Sequence, residues 1–255
     1  MRYWVGRVIK PYCQDFGYKS LCEIGSSTGG STDMLVEASG LHLTVIDPCL
    51  DADLSAKYSN DKRVTVHKGL SLEIVPRLSE KFDCILIDGD HNWYTVFNEL
   101  RAIEERQLLT NGGTIFFHDV GWPYGRRDMY YQPETIPKEF RHPYAKKGII
   151  YGRSELSSPE GENSGLFNAE EEGGEKNGVL TAIEDFLIER GNEYLLLRFT
   201  AEYGLGVLVK KHGIKSRKTL AKWRWLCLVH NMNDAIRRRF PRVYRVVKGI
   251  AKRAN

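Results

Sequence analysis

The sequence predicts an α/β protein on a doubly wound, mostly parallel seven-stranded sheet closed by an antiparallel terminal hairpin. Three observations carry this expectation. Short apolar runs alternate with helical stretches between residues 20 and 117. A glycine-bearing turn joins the first run to the first helix, and two late runs are close enough in sequence to pair with each other.

Taken in order, the first sixteen or so residues have helical patterning, and Ser20–Ile24 reads as the first strand. Ser31–Ala38 follows as a helix, Leu41–Ile46 as the second strand and Val64–His67 as a short third. Leu72–Leu78 is a helix that must accommodate Pro76, and Phe82–Ile87 is the fourth strand. Trp93–Leu109 puts Val96, Phe97, Leu100, Ile103 and Leu108 on one helical face; Thr114–Phe117, after the Asn111-Gly-Gly113 turn, is the fifth strand. Val179–Glu189 is a further helix, and Tyr194–Phe199 pairs with Gly204–Lys210 across Thr200–Tyr203.

With 255 residues and 42% hydrophobic content, the chain can bury a sizeable core in one domain. That domain is expected at 1–213, with an insertion at about 121–178, and a basic helical tail at 214–255. Met1–Arg7 lacks the apolar run of a secretory signal, and no apolar stretch is long enough to span a bilayer. Five scattered cysteines show no zinc spacing and suggest reduced thiols, so a cytoplasmic location is expected, with the tail able to place the protein on the inner face of the membrane.

The net charge of +4 conceals an asymmetry. Residues 214–255 hold thirteen lysines and arginines against one acid, Asp234, which leaves the rest of the chain acidic. Aromatic and aliphatic residues are interleaved with these cations, as in an interfacial amphipathic helix that Pro241 interrupts. An anionic membrane surface is one expected partner; packing of the helix on the acidic body is the alternative. Nucleic acid is disfavoured, because no recognised motif accompanies the charge, and a homo-oligomer stays compatible with the sequence.

The insertion divides by composition. Its first part, through Tyr151, carries Trp122, Tyr124, Tyr130, Tyr131 and Tyr144 with Arg126, Arg127, Arg141 and His142 between them; residues 157–178 are rich in Gly, Glu, Asn and Ser. A substrate-covering lid on a mobile hinge is the expectation, a surface excursion packed on the core the alternative.

The glycine turn Leu21-Cys-Glu-Ile-Gly-Ser-Ser-Thr-Gly-Gly-Ser-Thr32 holds the first chemistry. A phosphate-cradling loop needs a lysine where Ser31 stands, and a dinucleotide turn needs a glycine where Ser27 stands. Glu23 at the strand end favours a cationic ligand, and Asp47, ending the next apolar run, can accept from a ribose diol. What remains, Glu-x-Gly-x-x-x-Gly at Glu23, Gly25 and Gly29, resembles the first motif of class I S-adenosylmethionine-dependent methyltransferases. That resemblance covers roughly residues 15–211 and implies the Rossmann-like methyltransferase fold. It also implies that Glu23 and the turn of Gly25, Ser26, Thr28 and Gly29 hold the methionine and ribose portion, with Asp47 on the diol and Ser71 near the adenine.

Further chemistry lies at two strand ends. Asp88 closes the run Ile85-Leu-Ile, and Asp119 closes Thr114-Ile-Phe-Phe-His, so two carboxylates from adjacent strands converge on the ligand edge of the sheet. Magnesium or another divalent cation suits such a pair and would acidify and aim an acceptor hydroxyl. Asp-Gly-Asp-His91 with Gly-Gly-x-x-x-Phe-His-Asp119 resembles the metal-dependent O-methyltransferases, the catechol-type enzymes and those acting on sugar hydroxyls of natural products. The resemblance implies Asp88 and Asp119 as metal ligands and His91 as base. The chain departs from both patterns at His118-Asp119-Val120, which leaves the third ligand open between His118 and water, with Asp90 also nearby.

Trp93 is placed to wall the pocket or to pack in the core. The aromatic and arginine residues of the insertion suit a small-molecule or lipid-linked glycan acceptor, or an anionic one. Two other functions fit the same features: a hydroxylase-like metal enzyme on this fold, and a nucleotide or S-adenosylmethionine sensor with a membrane- or nucleic-acid-binding tail.

Overall fold

Continuous burial along the central strands decides the architecture, because each strand must be covered on both faces. The computed structural model describes residues 1–37, 40–49 and 56–239. Strands β1 (Ser20–Ile24), β2 (His42–Asp47), β3 (Val64–Lys68), β4 (Phe82–Ile87) and β5 (Leu109–His118) run parallel, and β9 (Tyr194–Phe199) and β10 (Leu205–Lys210) complete the sheet. Its order is β3-β2-β1-β4-β5-β10-β9, with β10 antiparallel to both neighbours, as the expected terminal hairpin requires.

Leu86, Phe116 and Val207 belong to one buried cluster, while Ile85, Phe117 and Leu208 belong to the other. The first is covered by the amino-terminal helices α1 (Arg2–Trp4) and α2 (Lys10–Phe16), joined by a π-helical turn at Val5–Ile9, and by α3 (Gly30–Val36). The second lies under α5 (Trp93–Glu105) and α6 (Val179–Arg190). Helix α4 (Ser71–Ile74) passes into a 3-10 turn at Val75–Arg77, the accommodation that Pro76 requires. The expected last residue of the Ser31 helix, Ala38, lies outside the described residues.

One boundary differs from the sequence expectation. Helix α5 stops at Glu105, Gln107 takes a left-handed backbone (φ 52°), and β5 already begins at Leu109, so Asn111-Gly-Gly113 lies inside the strand. The register of β5 on β4 shifts between Phe82↔Leu109 and Cys84↔Thr114. Gly112 (φ 72°) makes this irregularity possible: a Cβ there would collide with the Gly213 carbonyl, which crosses against it.

The insertion is ordered by a small sheet, with β8 (Phe167–Ala169) between β6 (Met129–Tyr130) and β7 (Tyr144–Lys146). Its second half is tied down as well, in contrast to the expected mobile hinge. The buried Asn168 Nδ2 donates to the carbonyls of Lys147 and Asn163, and Asn177 Nδ2 donates to those of Glu171 and Gly173. Asp128 clamps the insertion to the body: its Oδ1 accepts from Trp93 N (2.7 Å) and Gly178 N (2.6 Å), its Oδ2 from Tyr130 Oη (2.9 Å).

Helix α7 (Arg217–Arg239) is the described part of the basic tail, and it packs on the body. Leu220, Trp223 and Cys227 enter the first core cluster; Trp223 lies 5.1 Å from the Tyr12 ring and donates to Asp15 (2.9 Å). Residues 240–255, with the expected break at Pro241, lie outside the described residues. Among the described residues, no helix is long and apolar enough to cross a membrane.

Candidate active site

The turn after β1 is shaped by glycine backbone and by two acids beneath it. Gly25 (φ 86°) and Gly29 (φ 79°) adopt left-handed conformations that side chains disfavour. Asp47 Oδ2 accepts from the backbone N–H groups of Ser26 and Ser27 (2.8 Å each), and its Oδ1 from Cys49 N (2.7 Å). Oδ2 is thereby saturated, but Oδ1 keeps a lone pair for a further donor, so a ribose hydroxyl can still be bound.

Glu23 is fully buried, and its two oxygens accept from Ser31 Oγ (2.6 Å) and Thr32 Oγ1 (2.7 Å). Burial pushes its pKa up to about 7 against the pull of these hydroxyls. This corrects the expected ligand contact: Glu23 anchors α3 under the turn and presents no oxygen to the cleft. Ser26 Oγ, in contrast, is buried and has no hydrogen-bond partner among the described residues, an orphan hydroxyl between the cleft-lining residues Gly25 and Ser27. Thr28 is exposed on the rim, outside the cleft lining.

The cleft, about 250 Å³, is lined by Gly25, Asp47 and Ser71 as expected, and also by Asp88 and Asp90. Its charged lining groups are these three acids, with no lysine or arginine among the described residues. That potential suits a sulfonium cation and rejects a phosphate. A larger hollow of about 390 Å³ opens beside β5 and α6, where Glu104 pairs with Arg190 (2.9 Å) and Lys210 (3.0 Å), so a ligand there would have to displace internal ion pairs.

Beside the cleft, Asp88, His118 and Asp119 offer ligand atoms within 4.8 Å of one another. His118 Nδ1 sits between Asp88 Oδ1 (3.0 Å) and Asp119 Oδ2 (2.9 Å). Burial works against the imidazolium, but Asp119 and Asp88 outweigh it and raise the His118 pKa to about 9. Burial likewise works against ionisation of Asp119, while His91 and His118 hold its pKa below the usual carboxylate value. A proton thus bridges two carboxylates, and a divalent cation can take its place, so the donor set fits the implied metal. Asp119 takes a left-handed backbone (φ 57°), which turns its side chain back beside that of the preceding residue.

His91 meets Asp119 rather than Asp88: Nδ1 lies 3.2 Å from Asp119 Oδ2, and Nε2 is 3.5 Å from Tyr131 Oη. Its ring stacks on Tyr124 (5.4 Å, 12°). Asp90 turns away from the cluster and accepts from Thr95 Oγ1 (3.0 Å). Trp93 is core, not pocket wall, stacked on Phe97 (4.5 Å) and donating to Asp185 (2.7 Å).

Tyr131, one of the aromatics of the insertion, lines the cleft together with Gln132 and Thr135, which the sequence reading missed. Only the aromatic density around Tyr130-Tyr131 signalled that this segment reaches the site. It also missed Glu99, fully buried on α5, whose pKa burial raises to about 8 with Ser71 pulling the other way.

Residues 22–120 match the sequence family described as "Methyltransferase domain". No curated protein matches the chain at a significant level. Among solved structures, the SAH-bound methyltransferase PaMTH1 of Podospora anserina is similar with a TM-score of 0.50 at 15% identity, covering 82% of this chain and 77% of that one. A Staphylococcus aureus protein crystallised as a candidate caffeoyl-CoA O-methyltransferase gives a TM-score of 0.50 at 16% identity, covering 82% and 84%. At these identities the likeness is one of fold. The family match spans the glycine turn and both strand tips, and with this sheet order the chain has the Rossmann-like fold of the class I S-adenosylmethionine-dependent methyltransferases.

Proposed function

We propose that the protein transfers the methyl group of S-adenosylmethionine to a hydroxyl of a glycosylated acceptor, assisted by a divalent cation held by Asp88, Asp119 and His118. The observation that carries this reading is the convergence of those three ligand atoms within 4.8 Å, beside a cleft whose charged lining groups are acids. A bound divalent cation supplies Lewis acidity toward the acceptor hydroxyl.

The chain's own groups do the rest. Asp47 and Ser26 hold the donor, and the acids of the lining favour its positive sulfur. In the neutral ring Asp119 accepts from His91 Nδ1–H and Nε2 is the free base, turned to the Tyr131 side of the cleft; there it takes the hydroxyl proton. Methyl transfer is an in-line displacement, so alignment and exclusion of water supply most of the rate enhancement.

Tyr131 and Tyr203 near the cluster offer ring faces for a sugar. An anionic acceptor has less support, because two of the three arginines that would grip it are engaged. Arg126 pairs with Glu184 (2.6 Å), and the buried Arg127 donates to the carbonyls of Ala169 and Ser154. An imidazole among the donors also widens the metal choice beyond Mg²⁺ to Mn²⁺ or Zn²⁺.

The test is donor turnover across sugar, phenol and carboxylate-bearing hydroxyl acceptors, after chelation and after restoring each of the three ions. Turnover of a sugar acceptor that needs added ion is the expected result. Equal turnover in chelator removes the metal from the reading, and donor binding without turnover of any acceptor favours the sensor alternative.

A further inference from the structure

Helix α7 is apolar on two opposite faces. The inner face buries Leu220, Trp223 and Cys227 against the body. The outer face carries Trp225, Leu228, Met232 and Ile236 at steps of three, four and four residues, exposed by 61, 59, 56 and 43%. Such spacing aligns them in one stripe along the helix. They are four of the ten large hydrophobic side chains exposed among the described residues, and the only four of those ten that share one helix face.

Charge decides what can cover it. Arg217, Lys218 and Arg224 are exposed alongside the stripe, while Lys222 pairs with Asp15 of the body (2.7 Å). Asp234, the only acid from 214 to 255, is turned inward: it is buried, accepts from Thr200 Oγ1 (2.8 Å) and pairs with Arg237 (3.2 Å) and Arg238 (3.0 Å). The outer face therefore has no carboxylate. Five more lysines and arginines, and no acid, follow in the sequence after Arg239.

We propose that the outer face of α7 docks the protein on an anionic lipid bilayer, with Trp225, Leu228, Met232 and Ile236 in the acyl boundary and the flanking cations on lipid phosphates. A second copy of this face would set two strongly cationic segments against each other. A nucleic acid would press phosphates onto the apolar stripe. A bilayer interface satisfies both halves of the surface, since the alkyl stems of lysine and arginine lie along apolar surface while their charges reach the headgroups.

Docking also has a direction. Arg238 at the carboxyl end of α7 donates to the Thr200 carbonyl (2.8 Å), and Arg237 lies 3.7 Å from Glu202. The same turn holds Tyr203 edge-on to His118 (6.2 Å). The end of the helix that meets this turn is thus the end nearest the carboxylate cluster, and an acceptor carried at the lipid surface would approach the cluster from there. The docking surface itself does not depend on the reaction proposed above.

The experiment is vesicle flotation of the full chain with phosphatidylcholine alone and with added phosphatidylglycerol. The chain is expected to float with the anionic vesicles only, and the combined variant Trp225→Gln, Leu228→Gln, Met232→Gln to lose about tenfold or more in affinity with an unchanged thermal midpoint. Quenching of tryptophan fluorescence by brominated lipid, abolished by Trp225→Phe, reads insertion without relying on that variant. Flotation unaffected by the variant, equal binding to neutral vesicles, or quenching that survives Trp225→Phe would each overturn the proposal. So would a dimer, or a bound RNA, that the combined variant releases while neither protein floats.

Discussion

Gly25 rests with its backbone against that of Asp88, and a Cβ added to Gly25 would collide with the Asp88 carbonyl oxygen. The donor turn and the strand tip that carries a candidate metal ligand are therefore one rigid unit, tied also by Asp88 N to Ile24 O (2.8 Å). Gly25→Ala must strain a left-handed backbone and push the strand tip away together. Donor affinity is expected to fall by about 100-fold with a stability loss of about 2 kcal/mol, read by calorimetric titration of S-adenosylmethionine and by urea unfolding. Retention of tight donor binding would refute the contact as a constraint.

Asp88→Asn and Asp119→Asn test the cation. Each removes a charged ligand, so Mn²⁺ affinity is expected to fall by more than the about 10–100-fold that losing an indirect partner costs. Donor binding should fall less than metal binding, because Asp47 and Asp90 still line the cleft in both variants. Calorimetry of the two ligands separates the effects, and unchanged Mn²⁺ binding in both variants would remove the cluster as a metal site.

Glu99 gives the stability a pH dependence of definite sign. A carboxyl whose folded pKa is raised binds its proton more tightly in the native state, so its contribution is fully present below its unfolded pKa of about 4.3 and is lost as the pH rises through about 8. Glu23, raised to about 7, acts in the same direction. Glu99→Gln keeps the shape and removes the ionisation, so it should be more stable than the wild type at pH 8 by up to a few kcal/mol, with the gap closing toward pH 5. Urea unfolding at both pH values checks this; a gap that widens toward acid contradicts the assignment.

Asp128→Ala leaves the buried N–H groups of Trp93 and Gly178 without their acceptor. Two such losses should cost about 3–5 kcal/mol and loosen the insertion from α5. Hydrogen exchange is expected to rise at residues 128–131 and around Gly178 while β1 and β4 stay protected; exchange unchanged at both places would show that the clamp lies elsewhere.

The strand tips were legible because a buried parallel strand is a continuous apolar run, and an acid ending it must lie at the sheet edge, as Asp88 and Asp119 do. The terminal hairpin was legible for the same reason. The start of β5 was not: Leu108 continues the helical stripe of α5, yet its carbonyl accepts from Phe82 N (2.7 Å) as the chain turns into the sheet. Local pattern cannot show which partner wins there. Glu23 could not be placed from sequence either, because its role depends on the hydroxyls of Ser31 and Thr32 folding back over it. The partners of Trp93, Arg126 and Arg127 could not be assigned from sequence for one shared reason: Asp185, Glu184 and the Ala169 carbonyl lie on segments distant in sequence.

The acids around the donor cleft have a consequence for turnover. Asp47, Asp88 and Asp90 add a charge attraction to the donor's sulfur that lasts only while the sulfur is positive. Once the methyl group departs, the remaining thioether is neutral and that attraction is gone, so the wall that favours loading the fresh donor also helps to discharge the spent one.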